Sequence, residues 1–214
     1  IFSELEQLYI LQRNVEKLEK HYDENAALLE LNGEYAQNAA DFYIQTGRFE
    51  DAKRVLKNTY FSAAEKALGK PVRHTRYVEA IIGAGQDLLD EKKYKQAIEE
   101  FKMAYEYPEY LNEAKVNYPL TTRLDYYLGL AYKLDGQKKQ AEKYFRQAIG
   151  QEMDPLSVAT IYKAKAMSEE GNSKEAEKTV QEMLKELNKN NAANGYAMND
   201  YLKSLSYEFL GETK

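Results

Sequence analysis

Two histidines, His21 and His74, are the side chains in this sequence best suited to proton transfer or metal ligation, and they lie in different segments. Neither stands at helical spacing from a second histidine or from the glutamate that a helix-borne zinc site requires, so both are expected on the surface. Cysteine is absent, which removes disulfides, thiolate ligands and a cysteine nucleophile together. Gly83-Ala84-Gly85 falls inside a helical pattern rather than after a strand. It therefore lacks the strand–turn–helix setting in which glycines cradle phosphate, and close helix packing accounts for it better. Carboxylates cluster at Asp87, Asp90 and Glu91 and at Glu99 and Glu100, a spacing that solvated helices use routinely. No catalytic residue, metal site or cofactor is expected, and the chain reads as a non-enzyme.

Tyrosine is the compositional oddity: there are 19, with no tryptophan. The side chain buries a ring while keeping a polar tip, so it serves a core or a binding surface equally well. Tyr107, Tyr110 and Tyr118 stand beside Glu109 and Asn112 in two Pro-containing stretches. They are candidate stacking platforms for a sugar, against the plainer reading that they anchor their loop.

Any such site needs a scaffold, and 214 residues with 43% apolar content suffice for a core without staples. A 30% charged fraction with a net charge of −5 means that both signs are interspersed, which suits solvated helix faces and argues against nucleic acid as a partner. No apolar run approaches the roughly 20 residues that span a bilayer, so membrane insertion is not expected. The sequence starts at Ile1 without a targeting pattern, so any such peptide has been removed or lies upstream. Lack of cysteine mildly favours an exported or periplasmic compartment and is compatible with the cytoplasm.

An internal repeat organises the chain. Its clearest copy runs Gly129, Tyr132, Gly136, Ala141, Phe145, Ala148. Gly129 lets two helices approach, Tyr132 fills the space one turn on, and Gly136 ends the first helix in a left-handed conformation. Ala141, Phe145 and Ala148 continue the apolar stripe of a second helix. The same steps return as Gly85, Leu88, Lys92, Ala97, Phe101, Ala104, as Ala40, Tyr43, Gly47, Ala52, Leu56, Thr59, and as Ala164, Met167, Gly171, Ala176, Val180, Met183. A fifth begins at Ser204, Tyr207, Gly211. Residues 1–30 read as two helices, with Ser3 and Glu6 spaced as a capping box and Asn14 at the turn.

These residues resemble the tetratricopeptide repeat (TPR) family, whose unit is about 34 residues, over roughly residues 33–188 and the final helix. The family's tryptophan is missing throughout. The resemblance implies an all-α, right-handed superhelix of helical hairpins, an α-solenoid. Domain expectations follow: a degenerate hairpin cap at 1–32, four repeats at 33–188, and at 195–214 a helix that caps the stack or opens a truncated fifth repeat. Successive alanines Ala52, Ala97, Ala141 and Ala176 are 45, 44 and 35 residues apart, which puts inserted loops near 59–74 and 107–121. The first loop is locally basic through Lys66, Lys70, Arg73 and Arg76. Paired insertions of this kind also look like the repeat tail of large bacterial proteins that carry an N-terminal β-sandwich similar to galactose mutarotase. That likeness implies no catalytic residue here.

In the TPR family the first helices line a concave groove, which implies Gln37, Asp41, Ile82, Gln86, Leu89, Tyr126, Leu130, Lys133, Leu134, Ile161 and Lys165 as its lining. The lysine–asparagine–arginine set that clamps a terminal carboxylate is missing. The expected function is a scaffold that binds a protein or peptide segment in the groove. The alternative is an accessory C-terminal repeat module of a larger bacterial carbohydrate-active protein, docking on the N-terminal domain of the same polypeptide.

Overall fold

The computed structural model describes residues 2–62, 72–113, 121–189 and 196–211. Among them are twelve α-helices and one 3-10 turn, with no strand. Two compact units divide the chain, residues 1–90 with 100–116 as unit 1 and residues 91–99 with 117–214 as unit 2.

Unit 1 opens with α1 (Phe2–Leu11), α2 (Val15–Glu24) and α3 (Ala26–Glu30). Asn14 starts α2 by accepting the Lys17 amide on its side-chain oxygen at 3.0 Å, in the manner of an N-cap. Two expectations for this segment are corrected. There are three helices rather than two, and Glu6 is no capping residue. It lies within α1, 3% exposed, accepting the Tyr22 hydroxyl at 2.8 Å. Buried, the carboxylate needs partners, and a helix start at Phe2 leaves it one turn too deep to reach the cap.

Next come α4 (Gly33–Gln45), α5 (Phe49–Asn58) and α6 (Val72–Asp90). Asn32 caps α4 by accepting the amides of Glu34 and Tyr35. α4 packs on α5, α5 on α6, and α4 also on α6, so each helix meets the next and the next but one, as stacked hairpins do. The first-helix glycines have the expected use. A Cβ on Gly83 would lie 2.2 Å from the Phe49 ring, and one on Gly85 equally close to Phe101, so the aromatic of the neighbouring helix sits where a side chain would be.

α7 spans Tyr94–Met103. The turn before it carries Lys92 at φ +60°, in the place that Gly47, Gly136 and Gly171 fill at φ +75° to +84° in the other copies. A left-handed conformation costs an L-residue about 1–2 kcal/mol, part of which glycine gives back as backbone entropy. Lys92→Gly is therefore expected to stabilise the protein by about 0.5–1 kcal/mol, read as a raised urea midpoint at unchanged slope. A lowered midpoint would show that the lysine makes a compensating contact.

Unit 2 continues with α8 (Thr122–Leu134), α9 (Lys138–Gly150), α10 (Val158–Glu169), α11 (Ser173–Lys189) and α12 (Tyr196–Leu210). Neighbours again alternate: α8 meets α9 and α10, and α10 meets α9, α11 and α12. Ile161, Ala164, Ala176, Val180, Met183, Leu187 and Leu202 form one buried core. At the start of α8, Asp125 is 1% exposed and accepts Thr121 Oγ1 at 2.7 Å and Gln151 Nε2 at 2.5 Å. This polar staple ties the first turn of α8 to the residue that ends α9.

Candidate functional site

In unit 1 the groove positions fall on α4 and α6. Arg76 grips both Asp41 oxygens, at 2.7 and 2.5 Å, and reaches Gln37 Oε1 at 3.4 Å. Gln37 also donates to the Gly33 carbonyl. A bidentate guanidinium–carboxylate pair uses up the groups that a ligand would need, so Gln37 and Asp41 are committed within the protein. Arg76 and Arg73, read in sequence as part of a basic loop, are turned inward from α6, while Lys66 and Lys70 lie outside the described residues. Gln86 and Leu89 are half-buried.

Ile82 and Ile161 are corrections: at 2% and 1% exposure they belong to the core. The reason is the same for both. Residues Ala80–Gly85 of α6 are buried without interruption, and α10 has four helical neighbours. A helix enclosed in this way has no free face at the position where a stripe argument puts one.

The groove positions of unit 2 are more open. Tyr126 and Leu130 on α8 are half-buried and Leu134 is exposed. Lys133 bridges to Glu169 of α10 at 2.5 Å, and Lys165 lies 5.3 Å from the centre of the Tyr162 ring. Around Tyr126 the structure assembles residues that sequence reading passed over. Its ring is 5.3 Å from Tyr127 and 5.6 Å from Tyr162. Tyr127 and Tyr162 meet at 5.5 Å with their hydroxyls 3.3 Å apart, and the Arg123 guanidinium sits 5.6 Å over Tyr162. The available signal was the repeat itself: Tyr127 and Tyr162 are 35 residues apart, the interval between Ala141 and Ala176.

Burial sets the acid–base behaviour of these rings. Desolvation, with the Glu169 carboxylate and the Tyr162 ring adding to it, pushes Tyr126 up to about 12. In unit 1, desolvation and Asp23 push Tyr43 to about 12, against a smaller opposing effect of Arg48. Tyr22, Tyr77 and Tyr127 are raised as well, in each case chiefly by desolvation. The fold thus favours neutral phenols, while the unfolded chain ionises near pH 10. Their stabilising effect is complete below about pH 10 and is lost as pH rises towards 12. The melting temperature is expected to hold through neutral pH and fall steeply across that window, with the share of the tyrosinate absorbance that belongs to these buried rings rising only as the protein unfolds. Free titration of all the tyrosines near pH 10 before unfolding would contradict it.

Of the loop candidates, Tyr118 lies outside the described residues, whereas Tyr107 and Tyr110 are anchored in unit 1. Residues 104–113 fold back over the start of α6, where Pro108 leads into the 3-10 turn Glu109–Leu111. Glu113 accepts the Arg73 amide at 2.9 Å and the His74 amide at 2.8 Å, capping α6 from 40 positions away. The same carboxylate takes Arg73 Nε at 3.2 Å, with both side chains buried at 3% and 8% exposure. His74 stacks on Tyr107 at 3.7 Å and 17°, and its Nε2–H donates to the Glu106 carbonyl at 3.0 Å. Asn112, left-handed at φ +49°, donates to the Phe61 carbonyl at 2.6 Å, and Arg73 lies 4.7 Å over the Phe61 ring. The two insertions therefore clasp each other.

His21 is a further correction. It is 8% exposed and stacked on Phe2 at 4.3 Å, because α1 closes over the face of α2 that carries it. Among the described residues no three His, Asp or Glu side chains converge as a metal site, and no helix is long and apolar enough to cross a membrane.

No protein-family model and no curated protein matches the chain. Among solved structures, it is similar to the crystal structure of a thermophilic TPR protein of Thermus thermophilus, at 20% identity and a TM-score of 0.44 over 93% of each chain.

Proposed function

We propose that this chain is a protein-interaction scaffold and that the α8–α10 face of unit 2 holds a polypeptide segment. The observation that carries this reading is the ring cluster Tyr126–Tyr127–Tyr162, flanked by Leu130, the exposed Leu134 and the cations Arg123 and Lys165. Tyrosine and arginine are among the side chains that dominate binding energy where proteins meet, and the leucines add apolar area beside them. Gln37, Asp41, Gln86 and Leu89 contribute little to the binding in this reading, since the first two already serve Arg76.

A second reading, docking on another domain of the same polypeptide, is favoured by a separate surface. On α1 and the start of α2, Leu8, Leu11 and Val15 are 44%, 82% and 55% exposed, more apolar area than a terminal cap of a repeat stack usually shows to water. One experiment separates the two. Leu130→Glu/Leu134→Glu and Leu8→Glu/Leu11→Glu variants are compared with wild type for retention of a partner identified from the source lysate and of the protein's own remaining domains. Loss of the partner in the first variant alone supports the scaffold. Loss of the cognate domains in the second alone supports docking in cis, and equal retention throughout removes both.

A further inference from the structure

Where α5, α7 and the 104–113 segment meet in unit 1, an open cavity of about 750 Å3 is walled by Tyr77, Tyr107 and Tyr110. That volume lies within the roughly 300–1,000 Å3 of small-molecule sites. Its aromatic walls are already fixed. Tyr77 is 3% exposed and meets Tyr110 edge to face at 6.2 Å, while His74 stacked on Tyr107 sets the third ring. Rings held before a ligand arrives spare the ordering cost of binding.

Charge narrows the ligand class. Glu50, Glu106 and Glu109 face Lys53, Arg54 and Lys57 around the same cavity, so neither an anion nor a cation is attracted on balance. Lys53 is taken by Glu50 and Glu100 at 2.6 and 2.5 Å, and Arg54 by Asp51 at 2.8 Å. Lys57, Glu106 and Glu109 are exposed, so their charged ends are within reach of a ligand. What the rim offers is an ammonium group and two carboxylates beside aromatic walls. A hydroxyl donates to a carboxylate and accepts from an ammonium through a single atom, and it does so without carrying charge. A sugar ring combines a rim of such hydroxyls with a C–H face that packs on an aromatic.

We propose that this cavity binds a neutral saccharide of one or two rings. It is a site separate from the α8–α10 face, so either assignment can fail alone. The test is calorimetric titration of the whole chain with glucose, galactose, mannose, lactose, maltose and cellobiose, and with glucuronate and glucosamine as charged counterparts. At least one neutral sugar is expected to bind at millimolar concentration or below. The double variant Lys57→Met/Glu109→Gln, which alters only the rim, is expected to weaken it by roughly tenfold or more at unchanged melting temperature, and Tyr110→Ala by a similar factor. Absence of binding by every neutral sugar, tighter binding of a charged counterpart than of its parent, or undiminished binding by the double variant would each overturn the assignment.

Discussion

Phe145→Ala is expected to lower the stability of the protein by about 3–5 kcal/mol, the range for emptying a buried aromatic site. Phe145 is 2% exposed, and its ring occupies the volume beside Gly129, where a Cβ would come within 2.7 Å of two ring carbons. Gly129→Ala alone must push that ring aside inside a packed core, at about 1–3 kcal/mol. The decisive measurement is the cycle with Phe145→Leu. A smaller, more adaptable side chain at 145 leaves room for the methyl at 129, so Gly129→Ala/Phe145→Leu is expected to be less destabilised than the two single changes added together. Urea denaturation of the four proteins gives the coupling directly. Additivity within about 0.3–0.5 kcal/mol would mean that the two positions do not touch.

This contact also shows how far the sequence could be read. Gly129 and Phe145 are 16 residues apart, as are Gly85 and Phe101, and both pairs meet across a helical hairpin. The fold was legible because each hairpin is local: a small residue, a left-handed turn and an aromatic one helix later lie within one repeat. Gly83 meets Phe49 instead, a contact between hairpins that no local spacing announces. The same distinction decides the candidate site. Ile82 and Leu134 both sit on first helices, yet one is core and the other exposed, because the neighbours of each helix, and not its own stripe, determine which face meets water. Arg76 likewise reads as a loop cation until Asp41, 35 residues earlier, is brought beside it.

The second large effect concerns the clasp between the insertions. Glu113→Ala is expected to cost about 3–5 kcal/mol, because it takes a charged acceptor from several buried donors at once, at roughly 1–3 kcal/mol for each group left unsatisfied. Three donors lose the acceptor at once: the Arg73 and His74 amides, which the first turn of α6 cannot satisfy internally, and Arg73 Nε at 3% side-chain exposure. Glu113→Gln keeps an acceptor for one amide without the charge, and should fall between wild type and alanine. Removing both charges with Arg73→Met/Glu113→Leu also takes away the buried guanidinium that has lost this acceptor, so the double variant is expected to be more stable than Glu113→Ala although the helix start remains uncapped. Hydrogen exchange separates the two contributions. If Glu113 closes the clasp, amides 73–76 and 109–113 exchange faster in all three variants, including the double variant whose global stability has recovered. Protection that merely follows global stability would mean that the pair matters only as a buried charge. The walls of the tyrosine cavity depend on the answer, because His74 and Tyr107 are stacked only while the 104–113 segment is held against α6. A variant that opens the clasp without unfolding unit 1 should therefore lose any ligand of that cavity and leave the α8–α10 face of unit 2 competent.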